Sequence, residues 1–173
     1  MSAQPVQISP AEQQAIGQAM ETGVALHRRG MLDDAERLYQ GILKLAPRHF
    51  DATHLLGVIH QQRGNGEKAL EFIGAALELN KASADALNNH GKVLLQMRRF
   101  DQALTSLDRA LALAPDHPQA LINRATVYIE LRRYADALAD AARVLHGNPD
   151  SVDGWTKRGN VFKATGEPKS AME

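Results

Sequence analysis

The chain contains no cysteine. Disulfides and thiolate metal sites are thereby excluded, and a reducing, cytoplasmic setting is the expectation that fits. Aromatic side chains make up only 5% of the residues, which disfavours a sheet whose faces rely on aromatic and β-branched packing. Net charge is missing too. Twenty basic residues balance twenty acidic ones, so no overall field draws the chain to nucleic acid or to an anionic membrane surface. No apolar run reaches the roughly 18 residues of a membrane-spanning helix. The opening MSAQPVQISPAEQQ lacks the basic stretch and apolar core of a secretory signal. What remains is a chain of 173 residues, 44% hydrophobic and dominated by alanine and leucine. That is the make-up of a soluble, all-α protein built on close helix-to-helix contact.

The alanines are not scattered. Ala35, Ala69, Ala103, Ala137 and Ala171 are spaced by 34 residues, and a small residue precedes each by twelve: Gly23, Gly57, Gly91, Ala125 and Gly159. A proline follows twelve residues later at Pro47, Pro115 and Pro149, with Lys81 as the exception. Self-similarity at this period is the mark of a helical repeat array. With the alanine as twentieth residue, the repeats are 16–49, 50–83, 84–117 and 118–151, and a partial fifth begins at 152. Each opens with an amphipathic helix A, as in Leu87, Gly91, Leu94 and Leu121, Ala125, Tyr128. A break follows at Arg29-Gly30, Gly64-Asn65-Gly66, Arg98-Arg99, Arg132-Arg133 or Thr165-Gly166, then a helix B that carries the marker alanine. The proline stops helix B, because it lacks a backbone N–H and biases its predecessor away from helix.

Small residues at the eighth position of helix A and on helix B remove bulk where the two axes come closest. Arginines gather where helix A ends (Arg28, Arg29, Arg63, Arg98, Arg99, Arg132, Arg133) and acids where helix B begins (Asp33, Asp34, Glu67, Asp101, Asp136). Each sign suits the helix dipole it meets. Ser9, Pro10 and Glu12 have the spacing of a capping box, so the first helix is expected to start near residue 10, with residues 1–9 disordered. Trp155, the only tryptophan, is expected to pack between repeats 4 and 5. At the C-terminal end, Pro168 opens a last helix B for which only Lys169 to Glu173 remain.

These positions resemble the tetratricopeptide repeat. The pattern asks for a large residue at 4, Leu at 7, Gly or Ala at 8, aromatics at 11 and 24, Ala at 20 and 27, and Pro at 32. Trp155, Gly159 and Phe162 supply it in repeat 5, Leu121, Ala125, Tyr128 and Pro149 in repeat 4, and Gly23, Tyr39 and Pro47 in repeat 1. Ala76 and Ala110 fill position 27. Position 7 departs from it at His90, Arg124 and Arg158, although Leu56 keeps it. The resemblance covers residues 16–173 and implies a right-handed superhelical solenoid of antiparallel helix pairs. Helix A would line its concave side, where partner segments lie.

A rotation of about 100° per residue sets positions 2, 6, 9 and 13 of helix A opposite the core-facing 4, 7, 8 and 11. In repeat 3 that outer stripe reads Asp85, Asn89, Lys92 and Gln96; in repeat 4, Gln119, Asn123, Thr126 and Glu130; repeat 5 adds Asp153, Lys157 and Asn160. Val24, Leu55 and Val58 stand at the equivalent places of repeats 1 and 2, with Gln62 beyond them. A groove for a protein or peptide partner follows, apolar near the N-terminus and amide-rich further on. The competing reading leaves the polar residues merely solvated and packs the valines on the long first helix.

Asn89 and Asn123 hold the same sixth position, and an asparagine amide both donates to and accepts from an extended backbone. The pair, with "GILKLAPRHFDATHLLGVIHQQRG" and "ADALNNHGKVLL", resembles the repeats that precede O-linked N-acetylglucosamine transferases and their bacterial SPINDLY-like relatives. The ladder is broken by Glu21, Leu55 and Lys157, and no glycosyltransferase catalytic domain is present. The cationic clamp of co-chaperone repeats is not assembled: the matching places hold Met20, Val24, Leu55, Asp85 and Asn89, or Asn88, Lys92, Asn123, Asp153 and Lys157. An aspartate there repels a carboxylate.

Enzymatic chemistry has little support. His54 and His60 are six apart, unlike a metal pair spaced by four, and no cofactor motif accompanies Gly64-Asn65-Gly66. No catalytic residue, metal or cofactor is expected. The chain reads as a protein-binding scaffold. One alternative is the partner-selecting arm of a glycosyltransferase; another is a self-assembly module through Val161 and Phe162 of the unfinished fifth repeat.

Overall fold

The computed structural model describes residues 8–166. The expected disordered segment, apart from Ile8 and Ser9, lies outside the described residues, as does the short final helix with Pro168 and Ala171. The described residues form helices α1 (Pro10–Arg28), α2 (Leu32–Leu45), α3 (Phe50–Gln62), α4 (Gly66–Leu79), α5 (Ala84–Gln96), α6 (Phe100–Leu113), α7 (Pro118–Glu130), α8 (Tyr134–Gly147) and α9 (Val152–Thr165), and no strand. Helix B therefore starts at 32, 66, 100 and 134, and helix A from repeat 2 onward at 50, 84, 118 and 152, without a slip in the period. The chain groups into two compact units that part after Lys81. The first holds α1 to α4, the second α5 to α9.

Local chemistry explains the boundaries. At the start of α1, the Ser9 hydroxyl accepts from the Glu12 N–H, while the Glu12 carboxylate accepts from the Ser9 N–H at 2.8 Å. Later copies of helix A are capped by the last residue of the preceding repeat. Ser83 and Ser151 accept through Oγ, His49 and His117 through Nδ1, in each case from the N–H three residues on. Serine is a common cap; the imidazoles gave no such signal in the sequence. Position 15 of every repeat takes a positive φ: Gly30, Gly64 and Gly166 at 76° to 77°, but Arg98 and Arg132 at 58°. Glycine adopts this left-handed conformation freely, whereas a side chain there is strained. Helix B ends two residues before Pro47, Pro115 and Pro149, and α4 ends at the same place although Lys81 stands where the proline would be. Asn80 still has the extended backbone of a pre-proline residue, φ −143° and ψ 95°.

In the first unit, Ala35, Tyr39, Leu56, Ile59, Ala69 and Ile73 are buried to 1% exposure or less. In the second, Leu87, Val93, Leu107, Leu121 and Val127 are sealed as tightly around Ala103, Ala110, Ala125 and Ala137. The eighth position shows why bulk is excluded. A Cβ on Gly23 would lie 2.6 Å from the Tyr39 ring, on Gly57 2.5 Å from Ile73 Cγ1, and on Gly91 2.6 Å from Leu107 Cγ. Each partner is residue 24 of the same repeat, so position 8 of helix A seats position 24 of helix B.

Candidate functional site

The departures at position 7 find their reason across the helix pair. Arg124 in α7 donates through Nε and Nη2 to both carboxylate oxygens of Asp140 in α8, at 2.8 and 2.7 Å, and through Nη1 to Asp108 in α6 at 2.7 Å. Asp140 is 4% exposed at its side chain and Arg124 17%. Hydrogen bonding to Asp140, opposed by burial and helped by Asp108, pushes the guanidinium further above its already high pKa. Asp140 is position 23. The same two positions pair His90 with Ser106, at 2.8 Å, in repeat 3 and hold Leu56 and Phe72 in repeat 2. Apolar, polar and ionic residues thus occupy the same two positions in successive repeats.

The arginines at the breaks do more than complement helix dipoles. Arg63 pairs with Asp33 and Glu36 of the preceding helix B, Arg133 with Asp136, and Arg98 with Glu130.

The twelve groove residues divide between the units, four in the first and eight in the second. In the first, Val24, Leu55 and Gln62 line a cleft of about 450 Å³ together with His27, Arg28 and Tyr39. His27 Nε2 lies 3.2 Å from Gln62 Oε1, which ties α1 to α3 across it. Val58 is half-buried and stands outside that lining. Tyr39 is fully buried, and its hydroxyl has no hydrogen-bond partner among the described residues. Sequence reasoning missed His27, Arg28 and Tyr39 as cleft residues. The available signal was position 24, where Tyr39 alone carries a polar tip among Tyr39, Ile73, Leu107 and Ala141.

In the second unit much of the polar stripe is engaged internally. Asn123 donates from Nδ2 to Asn88 Oδ1 at 2.8 Å, so its structural partner is the buried Asn88. Thr126 donates to the Ile122 carbonyl at 2.7 Å, and Glu130 takes the ion pair with Arg98. Asn89, Lys92 and Lys157 are half-buried, while Gln96 and Asn160 are exposed.

Two packing expectations need correction. Trp155 is 44% exposed instead of enclosed, because its indole N–H reaches the Pro149 carbonyl at 2.8 Å and Arg158 lies over its ring. Val161 is not an open face. It is 1% exposed and packs in one cluster with Ala125 and Ala137. Phe162 remains half-buried beneath Arg158. His54 and His60 are buried packing residues, His60 stacked on Phe72 with ring centroids 5.2 Å apart.

Stacked helix hairpins with a 34-residue period, seated position 8 on position 24, define a tetratricopeptide repeat protein, and the chain is one. The tetratricopeptide repeat profile matches residues 88–152 and 122–173. A profile described as anaphase-promoting complex, cyclosome, subunit 3 matches residues 28–110. Among solved structures, the chain is similar to pilF of Pseudomonas aeruginosa, with a TM-score of 0.83 at 22% identity over 92% of this chain and 73% of that one. It is also similar to MamA from Desulfovibrio magneticus RS-1, with a TM-score of 0.80 at 16% identity over 96% and 92%. A third likeness is to YrrB, titled a TPR protein with an unusual peptide-binding site, with a TM-score of 0.70 at 19% identity over 92% and 86%. At these identities the likeness is one of fold. A search of curated protein sequences finds no match.

Proposed function

We propose that the chain is a protein-interaction scaffold whose helix A surfaces take a segment of a partner protein. The observation that carries this reading is the cleft of Val24, Leu55 and Gln62, where apolar side chains face an open volume while position 8 and position 24 close the core elsewhere. In the second unit, Lys92, Gln96, Lys157 and Asn160 supply polar contacts, and Asn123 keeps acceptor and donor capacity after its bond to Asn88. Catalysis plays no part in the proposal, and a cytoplasmic setting belongs to it on the absence of cysteine.

Quantitative affinity capture tests it. The intact chain is compared with Val24→Asp and with an Asn89→Ala, Asn123→Ala double variant, each checked for unchanged helicity. A partner set lost with either variant supports the groove; an unchanged set with unchanged affinities sinks it.

The glycosyltransferase-arm reading rests on Asn89 and Asn123, and the bond from Asn123 to Asn88 gives the latter a structural duty. Self-assembly through α9 loses Val161, which the chain's own core covers, and keeps Phe162 and the exposed Trp155 and Val152.

A further inference from the structure

We infer that the cleft between α1 and α3 is a side-chain pocket for a partner segment that sets an aliphatic residue beside a carboxylate. This rests on the scaffold reading above and names the chemistry that its first unit selects. The walls are Val24 and Leu55, both half-buried, which suits an aliphatic side chain. Of the polar groups around them, three can donate: Arg28, Gln62 and Tyr39. Arg28 is exposed and forms no ion pair among the described residues. Gln62 directs its carbonyl oxygen to His27, which leaves its amide hydrogens to donate. Tyr39 has a buried hydroxyl without a partner, and burial pushes its phenol above the ordinary pKa, so it stays protonated. Among the described residues, no carboxylate lines the cleft.

A donor-rich rim around apolar walls calls for an acceptor-bearing ligand, and the unpaired guanidinium makes the charged acceptor the best match. A larger cleft in the second unit, about 610 Å³, makes the contrast. It is lined by Asp116, Asp150 and Asp153 together with Arg143, which Asp116 already engages at 3.0 Å. That rim has no spare positive charge of the same kind. The Tyr39 ring lies against Gly23 and is fully buried, so the ligand must come to the hydroxyl. The His27 ring stands 6.3 Å from the Tyr39 ring, and its contact with the exposed Gln62 is the one that an entering ligand displaces. A buried hydroxyl left unpaired is a cost in the free protein that a bound acceptor removes.

The test uses the full chain and an array of acetylated nonapeptides in a Gly-Ser background. Each carries Leu, Ile or Val at its centre, followed by Asp, Glu, Asn or Lys. The expected result is retention of the Asp and Glu peptides about tenfold above their Asn and Lys counterparts, diminishing with added salt. Arg28→Glu should reverse the order in favour of Lys. Tyr39→Phe should raise the melting temperature of the free protein and weaken the acidic peptides, a combination that a purely structural role would not give. Equal retention of Asp, Asn and Lys peptides overturns the inference, as does a preference unmoved by Arg28→Glu. Retention that survives both Arg28→Glu and Val24→Asp but is lost with Lys92→Ala removes the pocket and leaves the scaffold reading standing. If no peptide is retained, the pocket falls, and the capture experiment alone decides the scaffold.

Discussion

Replacing Arg124 by leucine should be among the most damaging single changes in the second unit. The substitution removes both hydrogen bonds to Asp140, whose side chain is 4% exposed, and leaves a carboxylate in a site that water scarcely reaches. Breaking a buried pair from one side costs about 3 to 5 kcal/mol. The arm to Asp108 adds little, since that carboxylate is 54% exposed and screened. Asp140→Phe alone should cost less than Arg124→Leu, because the stranded guanidinium keeps Asp108. The double variant Arg124→Leu, Asp140→Phe installs the residues that repeat 2 carries at the same two positions, Leu56 and Phe72. It should return to within about 1 kcal/mol of the parent, or exceed it, because an apolar pair avoids the desolvation penalty. Urea unfolding followed by circular dichroism measures this. With a slope of about 2 kcal/mol per molar, the single variant moves the midpoint down by roughly 2 M. Trp155 in α9, which packs against α7 and α8, gives a second probe for partial unfolding of the array. A loss below about 1 kcal/mol for Arg124→Leu, or a double variant as weak as that single one, refutes the reasoning.

Gly57→Ala places a Cβ 2.5 Å from Ile73 Cγ1 and 3.0 Å from the Ile73 backbone nitrogen, and should cost about 1 to 3 kcal/mol. Gly17→Ala, with nothing within 4 Å on an exposed face of α1, should instead stabilise by roughly 0.5 to 1 kcal/mol; thermal or urea unfolding distinguishes the two. Arg132→Gly relieves a side chain held at φ 58° and should raise stability by about 1 kcal/mol in the same assay; a loss of stability would show that the Arg132 side chain makes a contact worth more than the strain. Burial, then the charges of Arg109 and Arg99, holds the His90 imidazole below its ordinary pKa, and burial does the same at His60 despite Glu36. The unfolded chain therefore binds protons more readily. Stability is full above about pH 6.5 and is lost as pH falls from there through the depressed folded values. Urea midpoints at pH 7.5, 6.5 and 5.5 should show that slope, flattened in a His60→Gln, His90→Gln variant.

The repeat period made the helices legible because a single geometric need, close approach of two axes, recurs at Gly23, Gly57, Gly91 and Ala125 and leaves a small residue each time. The Ser9 capping box was readable for the same reason: both partners lie three residues apart in one stretch of chain. What escaped was chemistry between segments. Arg124 departs from the pattern at position 7 because Asp140, sixteen residues on, answers it, a pairing that shows only when the two positions are compared across the repeats as columns. The candidate site suffered in the same way. Val24, Leu55 and Gln62 followed from helical rotation, but Tyr39 enters their cleft from helix B, which a search along helix A does not reach. Asn88 stands at position 5, outside the stripe of positions 2, 6, 9 and 13, so rotation along one helix gives no sign of its bond to Asn123.

The unbroken 34-residue phase makes this chain divisible, though its charges do not divide with its backbone. Copying residues 118–151 and inserting the copy after 151 would preserve every helix start and every seat of position 8 on position 24. The inserted arginine would find its own Asp140 equivalent. Where Arg124 has Asp108 from the repeat before, however, the copy would meet Ala142. The Asn123 amide, which bonds Asn88 of the repeat before, would likewise meet Ile122. Length can thus be gained or lost in whole repeats at little cost to the fold, while the neighbours between which a repeat fits best are recorded in one ion pair and one amide hydrogen bond.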